Sequence, residues 1–437
     1  MDYLPNVIFA IALLLGIGFF VSNVLKLVRN IKLGKDLDRS DNKPERWKNM
    51  ARIALGQSKM VSRPIAGFLH IVVYIGFVVI NIEVLEIIFD GLFGTHRVFQ
   101  PLLGNSIYGF LIGTFEILAF LVLVAVIIFW LRRNIVQLKR FMSKEMKGWP
   151  KNDGNLILYF EIVLMSLFIL MNATDYSFQQ AGFGNPISQF VAPWFSEYPL
   201  ETLSSIEHTA WWAHIIGILI FLNYLYYSKH LHILLAFPNT FYANLQPKGQ
   251  FNNLSSVTKE VRMMMDPDAD PYAMPEEGAE EEIPEKFGAS DVTDLNWVQL
   301  LNAYTCTECG RCTSSCPANM TGKELSPRAI MMKTRDRLEE VGRNIDSNKG
   351  TFKDDGKQLL NDYITPEELW ACTSCNACVE ECPIDIDPLS IIMDMRRFLV
   401  MEQSAAPQEL NMMMTNIENN GAPWQYNQQD RLNWKDE

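Results

Sequence analysis

Five apolar runs constrain this chain more than any other feature: roughly Leu4 to Leu25, Pro64 to Ile88, Ile107 to Leu131, Leu156 to Phe178 and Ile206 to Tyr227. Each is near the ~20 residues a helix needs to cross a hydrocarbon core. All five lie before residue 246, and the remainder is polar and acidic. The mean hydropathy of +0.03 is therefore an average over two unlike halves. The first run lacks a basic lead-in and a small-residue cleavage site, so it reads as a retained helix and not as a signal peptide.

Loop charges give the expected orientation. Eleven Lys or Arg lie from Lys26 to Arg63 and seven from Arg132 to Lys151. The other two loops hold only Arg97 between them. By the positive-inside rule the N-terminus is outside and everything after Tyr227 is cytoplasmic, in an inner membrane crossed several times. The net charge of −12 comes from the second half. With no basic stripe interleaved with aromatics, it excludes nucleic acid as a partner.

All eight cysteines fall in two stretches, "CTECGRCTSSCP" from Cys306 and "CTSCNACVEECP" from Cys372. A disulfide scaffold scatters its cysteines through a small domain, whereas C-x2-C-x2-C-x3-C-P repeated twice is a cluster-ligand spacing. Three cysteines on a tight loop take three iron corners of an Fe4S4 cube, and a remote cysteine takes the fourth. In two-cluster ferredoxins that fourth ligand comes from the other motif. The expected sets are Cys306, Cys309, Cys312 and Cys382 for one cluster, and Cys372, Cys375, Cys378 and Cys316 for the other. Together they use every thiol.

Helix punctuation surrounds the motifs. Asp294 precedes an apolar face of Trp297, Leu300, Leu301 and Tyr304, and Ser326-Pro327, Thr365-Pro366 and Asp387-Pro388 each place a good N-cap before a proline. Gly342 is the expected stop of the helix begun at Pro327. Strand signals are absent. The fold class is therefore all-α, a five-helix transmembrane bundle (1–246) followed by an α-helical two-cluster ferredoxin domain (289–402). Between them lies an acidic linker (247–288), and a polar tail follows (403–437). From Glu260 to Glu285 ten acidic residues face one basic residue, Arg262, with four prolines, which reads as a solvated spacer. The Asn- and Gln-rich tail is expected to be ordered only by contacts.

Intramembrane histidines are costly and informative. His70 lies about two turns into the second apolar run, on its cytoplasmic side, while His214 is within the fifth and His232 just past its end. If the fifth helix continues, His214 and His232 share a face about five turns apart. His70 and His232 lie at similar depth, the arrangement of two axial ligands of a haem within a bundle. The alternative is a pair of hydrogen-bonded interfacial histidines. Of the carboxylates inside the runs, Glu83, Glu86, Glu116, Glu161 and Asp175, Glu116 and Glu161 are candidates to relay protons; bundle-interior hydrogen bonding is the other explanation.

The stretches "FLH" at 68–70, His214 and "SKHLH" at 228–232 resemble the haem b subunit of respiratory nitrate reductases and the membrane subunits of heterodisulfide reductase-like complexes. The resemblance implies that His232, three residues after Lys229, holds a cytoplasmic-side haem b with His70. It also implies a second, outer haem at His214, but the position of its other ligand is Ile80, so that haem would need His96 or His208. "CTECGRCTSSCPA", "TGKELSP" and "GAPWQYNQQDRLNW" resemble the ferredoxin part of heterodisulfide reductase-like iron–sulfur oxidoreductases. They are also similar to the iron–sulfur subunit of anaerobic glycerol-3-phosphate dehydrogenase. No cysteine remains here for the CCG-type domains that often hold such enzymes' catalytic cluster. The resemblance thus implies a separate cytoplasmic catalytic subunit, cysteine-rich (CCG-type) or flavin-containing.

The expected function is electron transfer between two cytoplasmic [4Fe-4S] clusters, haem b and membrane menaquinone or ubiquinone, in a respiratory oxidoreductase embedded in the lipid bilayer. A membrane-anchored redox sensor or scaffold that reports quinone state is the alternative.

Overall fold

The computed structural model describes residues 3–267 and 286–436. Helices form at all five apolar runs: α1 Leu4–Ile31, α2 Pro64–Phe93, α3 Phe99–Asn134, α4 Trp149–Thr174 and α5 Leu200–Tyr224. All five are long and apolar enough to cross a membrane. Their outward faces carry exposed Leu14, Leu15, Phe68 and Phe110, a surface that lipid tails cover and water does not.

Two ends differ from the hydropathy reading for local reasons. The fourth run continues to Phe178, yet α4 stops at Thr174 because Asp175 turns extended and its carboxylate caps the next short helix by accepting from Phe178 N. At the other side, α3 begins before its apolar run and contains a kink at Gly104, whose φ of +73° suits a residue without Cβ. Within the bundle α4 packs between α3 and α5, and α1 lies against α2 and α5. Tyr108, Ile112 and Phe115 of α3 meet Phe168 of α4 at its centre, all essentially inaccessible.

After α5 the chain turns through Leu225–Tyr227 and Lys229–Leu231 into α6, His232–Phe241. A helix at Ser255–Met265 follows in the expected spacer; the acidic positions from Asp268 to Glu285 lie outside the described residues. The cysteine half is built on α7 Trp297–Thr305, α8 Pro327–Ser347 and α9 Pro388–Met401. Ser326 and Asp387 cap their helices, and Thr365 with Glu368 closes a capping box around the turn Pro366–Trp370. Helix α7 is capped by Asn296, since Asp294 is occupied closing the preceding turn with Asp291. Among the described residues there is no strand beyond two isolated bridges. In the tail, the helix Gln408–Asn420 has no buried residue.

Gly342 does not stop α8. The helix continues to Ser347, and the glycine instead marks where α1 crosses: a Cβ there would stand 2.4 Å from Asn30 Nδ2. Asn30 Nδ2 donates to Tyr304 Oη at 3.0 Å, and Arg29 bonds the Gly342 carbonyl at 3.1 Å and pairs with Asp346. The two halves are thus in direct contact.

Arg337 anchors the cysteine half. It is fully buried, with Nη1 on Asp355 at 2.6 Å, Nη2 on Asp291 at 2.7 Å and on the Lys357 carbonyl at 2.7 Å. Removing one side of a buried ion pair strands the other, so Arg337→Met is expected to destabilise this half by about 3–5 kcal/mol, read as an earlier thermal unfolding of the chain.

Candidate functional site

The two cysteine motifs adopt the same backbone turn. Glu308 and Gly310 in the first, and Ser374 and Asn376 in the second, occupy matching positions between the cysteines and all have positive φ. Left-handed residues curl successive amides toward one point, a concavity suited to an anion such as a sulfur-ligated cluster. Two amides in the second motif and its exit reach thiols: Ser374 N to Cys372 Sγ at 3.4 Å and Ile386 N to Cys382 Sγ at 3.2 Å. Gly310 is required because a Cβ would lie 2.5 Å from the Arg328 guanidinium, whereas Asn376 tolerates the same conformation as asparagine commonly does.

Tertiary packing brings Cys378 and Cys382 of the second motif against the first motif's cysteines. Cys306, Cys309, Cys312, Cys378 and Cys382 line one cavity with Met331, Ile384 and Ile386. Burial raises the Cys312 thiol well above its ordinary range, and neighbouring Cys309, Cys306 and Cys382 raise it further. Cys382 is raised by burial and by Cys309 and Cys306. Cys378 is pushed up to about 12 by burial, with Asp387, Cys372 and Cys316 adding to it. Thiols crowded in an apolar cavity repel as thiolates, and iron bound there would supply the positive charge that holds them deprotonated. Among the described residues no three potential ligands close on a single ion. The donors fit a cluster with several iron corners.

The first cysteine loop rests on the two Lys- and Arg-rich loops of the bundle. Arg311 Nη1 donates to the Lys59 carbonyl at 2.9 Å, and Lys59 Nζ reaches the Cys382 carbonyl at 3.3 Å and Asp385 at 2.7 Å. Arg328, 1% exposed, bonds Glu145 and the Arg140 carbonyl, each at 2.7 Å. Glu308 pairs with Lys229 and with Arg335 at 2.9 Å; burial favours its neutral acid, but the two cations hold it below the usual carboxylate range. Sequence reasoning missed Glu308 and Arg328. It used Lys229 only as a landmark, although a glutamate inside a cysteine loop and a lysine beside a candidate ligand histidine were the available signals.

Lys229 also connects to the histidines. Its carbonyl lies 3.1 Å from His232 Nδ1, which leaves Nε2 as the free ring nitrogen. The His70 and His232 ring centres are 6.4 Å apart and tilted by 42°. Two imidazoles binding one iron from opposite faces, at about 2 Å per bond, stand roughly 6 Å apart centre to centre. His70 Nδ1 is buried without a partner. His230 instead packs on Phe221 at 5.5 Å, and burial pushes its imidazole down to about 3.

The fifth helix does not continue to His232. Ser228 is extended, and its hydroxyl and Tyr224 Oη both donate to Asp153 at 2.6 Å, which ends α5 and redirects the chain. His232 therefore reaches His70 from a separate helix. His214 is buried against Phe168 at 6.2 Å with Nδ1 unpartnered, and Ile80 is an apolar core residue. His96 and His208 are mostly exposed and lie beside Asp175 and Glu207. Burial would raise the Asp175 carboxyl, but His96 and Arg97 hold it well below the carboxylate range.

Of the two relay candidates, Glu116 is fully bonded: it accepts from Asn172 Nδ2 at 3.0 Å and from Ile187 N and Ser188 N at 2.9 Å. Glu161 is buried on α4, with no ion pair among the described residues.

Residues 305–386 match the 4Fe-4S dicluster domain family, which supports two 4Fe-4S clusters. Over 98% of its length the chain is 28% identical to a Bacillus subtilis protein described as a probable iron-sulfur-binding oxidoreductase, FadF. Over the same share it is 25% identical to the EtfAB:quinone oxidoreductase of Syntrophomonas wolfei. It spans 60% and 59% of those two relatives. A shorter stretch, 25% of the chain, is 31% identical to one subunit of the ferredoxin- and F420H2-dependent CoB-CoM heterodisulfide reductase of Methanosarcina acetivorans, covering 53% of that protein. No solved structure matches. With five candidate membrane helices joined to a helical 4Fe-4S dicluster domain, the chain has the make-up of a membrane iron–sulfur oxidoreductase subunit.

Proposed function

We propose that this chain is the electron-transfer module joining a cytoplasmic redox partner to the membrane quinone pool, with substrate chemistry on another subunit or domain. Cys306, Cys309, Cys312 and Cys382 would hold one [4Fe-4S] cluster, Cys316, Cys372, Cys375 and Cys378 the other, and His70 with His232 a haem b. Bound there, these groups supply one-electron transfer.

The observation that carries the reading is the order of the sites. Cys375 is exposed and Cys372 half-buried, so the second cysteine loop meets the solvent, where a partner would dock. The first loop is tied to the membrane side through Glu308 and Lys229, whose carbonyl orients His232, and its Arg311 is a charged neighbour of His70. The residues would thus hold the three groups in order from the exposed second loop to the membrane side, with the Lys229–Glu308 pair as compensating charge between the inner two. The quinone-linked name of the Syntrophomonas relative supports the same reading.

The test uses the full chain, purified with its cofactors and reduced by dithionite under anaerobic conditions. A short-chain naphthoquinone is expected to reoxidise both the iron–sulfur and the haem absorbance. A chain that shows no b-type spectrum, or that stays reduced after quinone is added, overturns the reading.

A further inference from the structure

The end of the bundle opposite the cysteine half holds a polar network that the electron route does not use. Arg97, 9% exposed, lies at its centre, with Nε on Asp175 at 2.8 Å, Nη2 on Asn172 at 3.0 Å and Nη1 on Tyr108 Oη at 3.3 Å. Tyr108 Oη donates to Glu86 at 3.0 Å, whose other oxygen accepts from Phe99 N at 2.9 Å. Asp90 accepts from Thr95 Oγ1 and from the Arg97 and Val98 amides. At the rim, His96 Nε2 is 3.4 Å from Asp175 and its side chain is 58% exposed.

Every carboxylate in this network has an assigned partner except one. Glu83 is 5% exposed, faces Arg97, Glu86 and Glu116, and keeps one oxygen buried with no hydrogen-bond partner. An ionisable group at such depth is costly, and the other acids here repay that cost by capping helices and holding loops. Glu83 does neither with its free oxygen. It lies on α2, about 20 Å along the axis from His70.

We propose that Glu83 is the proton-transferring acid of the quinone site, resupplied from solvent at the His96 end of the bundle. The inference rests on the quinone-linked reading above. Reduction of a quinone to hydroquinone takes two electrons and two protons, one proton to each ring oxygen. The electrons arrive singly from the reduced centres of this chain. The Glu83 carboxyl gives its proton to a ring oxygen and is reprotonated by a proton entering from solvent at the His96 rim. A second pass of the same steps delivers the second proton. Arg97 stays protonated, holding Tyr108, Asn172 and Asp175 in line. Quinol oxidation runs the steps in reverse.

Two acceptors separate proton from electron transfer. The cofactor-loaded full chain is reduced and then mixed with menadione, which needs protons, or with ferricyanide, which takes only electrons. Glu83→Gln is expected to slow reoxidation by menadione about a hundredfold, the low end of what a positioned acid contributes, and to leave the ferricyanide rate unchanged. Glu83→Asp, which keeps the acid, should recover much of the menadione rate. In reduced-minus-oxidised infrared spectra, a carboxyl band sensitive to D2O should vanish in Glu83→Gln. A Glu83→Gln chain that reacts with menadione at the wild-type rate, or that slows equally with both acceptors, overturns the proposal. A wild-type chain unreactive toward menadione overturns instead the quinone-linked reading on which it rests.

Discussion

Replacing Cys382 with serine is expected to halve the iron content of the chain, and the cluster lost should be the one on the first motif. The proposed crossed ligand sets are testable with double variants. Cys382→Ser combined with Cys306→Ser should cost no more iron than either change alone, because both residues serve one cluster. Cys382→Ser combined with Cys372→Ser should remove both clusters, although both residues lie on the same motif. The geometry behind this expectation is that Cys382 neighbours Cys309 and Cys306, whereas Cys316 neighbours Cys372 and Cys378, with Cys378 also bordering Cys312. Iron analysis and the electron paramagnetic resonance of the reduced chain read the outcome. A Cys382→Ser, Cys372→Ser chain that retains one intact cluster would mean that each motif keeps its own four ligands.

Substituting alanine for His232 is expected to abolish the b-type absorbance altogether, and His70→Ala to do the same. His230→Ala should leave the band in place, since that ring packs on Phe221 while His70 and His232 oppose each other at 6.4 Å. The sharper variant is Lys229→Ala. Its backbone carbonyl still holds His232 Nδ1, so the haem should remain, but Glu308 loses one of its two cations beside the first cysteine loop. An unchanged spectrum in the His70 and His232 variants would remove both residues as ligands.

The membrane half was legible because hydrophobic runs of about 20 residues admit one backbone solution in lipid. What hydropathy did not carry was polar detail. Asp175 ended α4 by capping the next helix inside an apolar run, and Asp153 broke the chain at Ser228 from 75 residues away. Glycine was equally ambiguous: Gly342 is a stop signal in a one-dimensional reading and a helix-crossing point once α1 is present. The cysteine spacing announced the ligand loops, yet the paired positive-φ residues Glu308 and Ser374 are not the glycines or asparagines that would announce such a turn. Among the acids inside the apolar runs, sequence offered Glu116 and Glu161 as relay candidates without a contact to rank them by. Only the hydrogen bonds distinguish Glu116, which clamps the Ile187 and Ser188 amides, from Glu83, which has an oxygen to spare.

The crossing of α1 over α8 bears on how current could be gated. Mobile-carrier designs let a redox head swing between donor and acceptor, so diffusion of the head limits throughput. Here Arg29 and Asn30, at the end of a membrane helix, grip Gly342, Asp346 and Tyr304 of the cysteine half. On the proposed route, that grip makes the head a stationary conductor with its port at Cys375. Traffic through it is then set by how often a partner docks at that port.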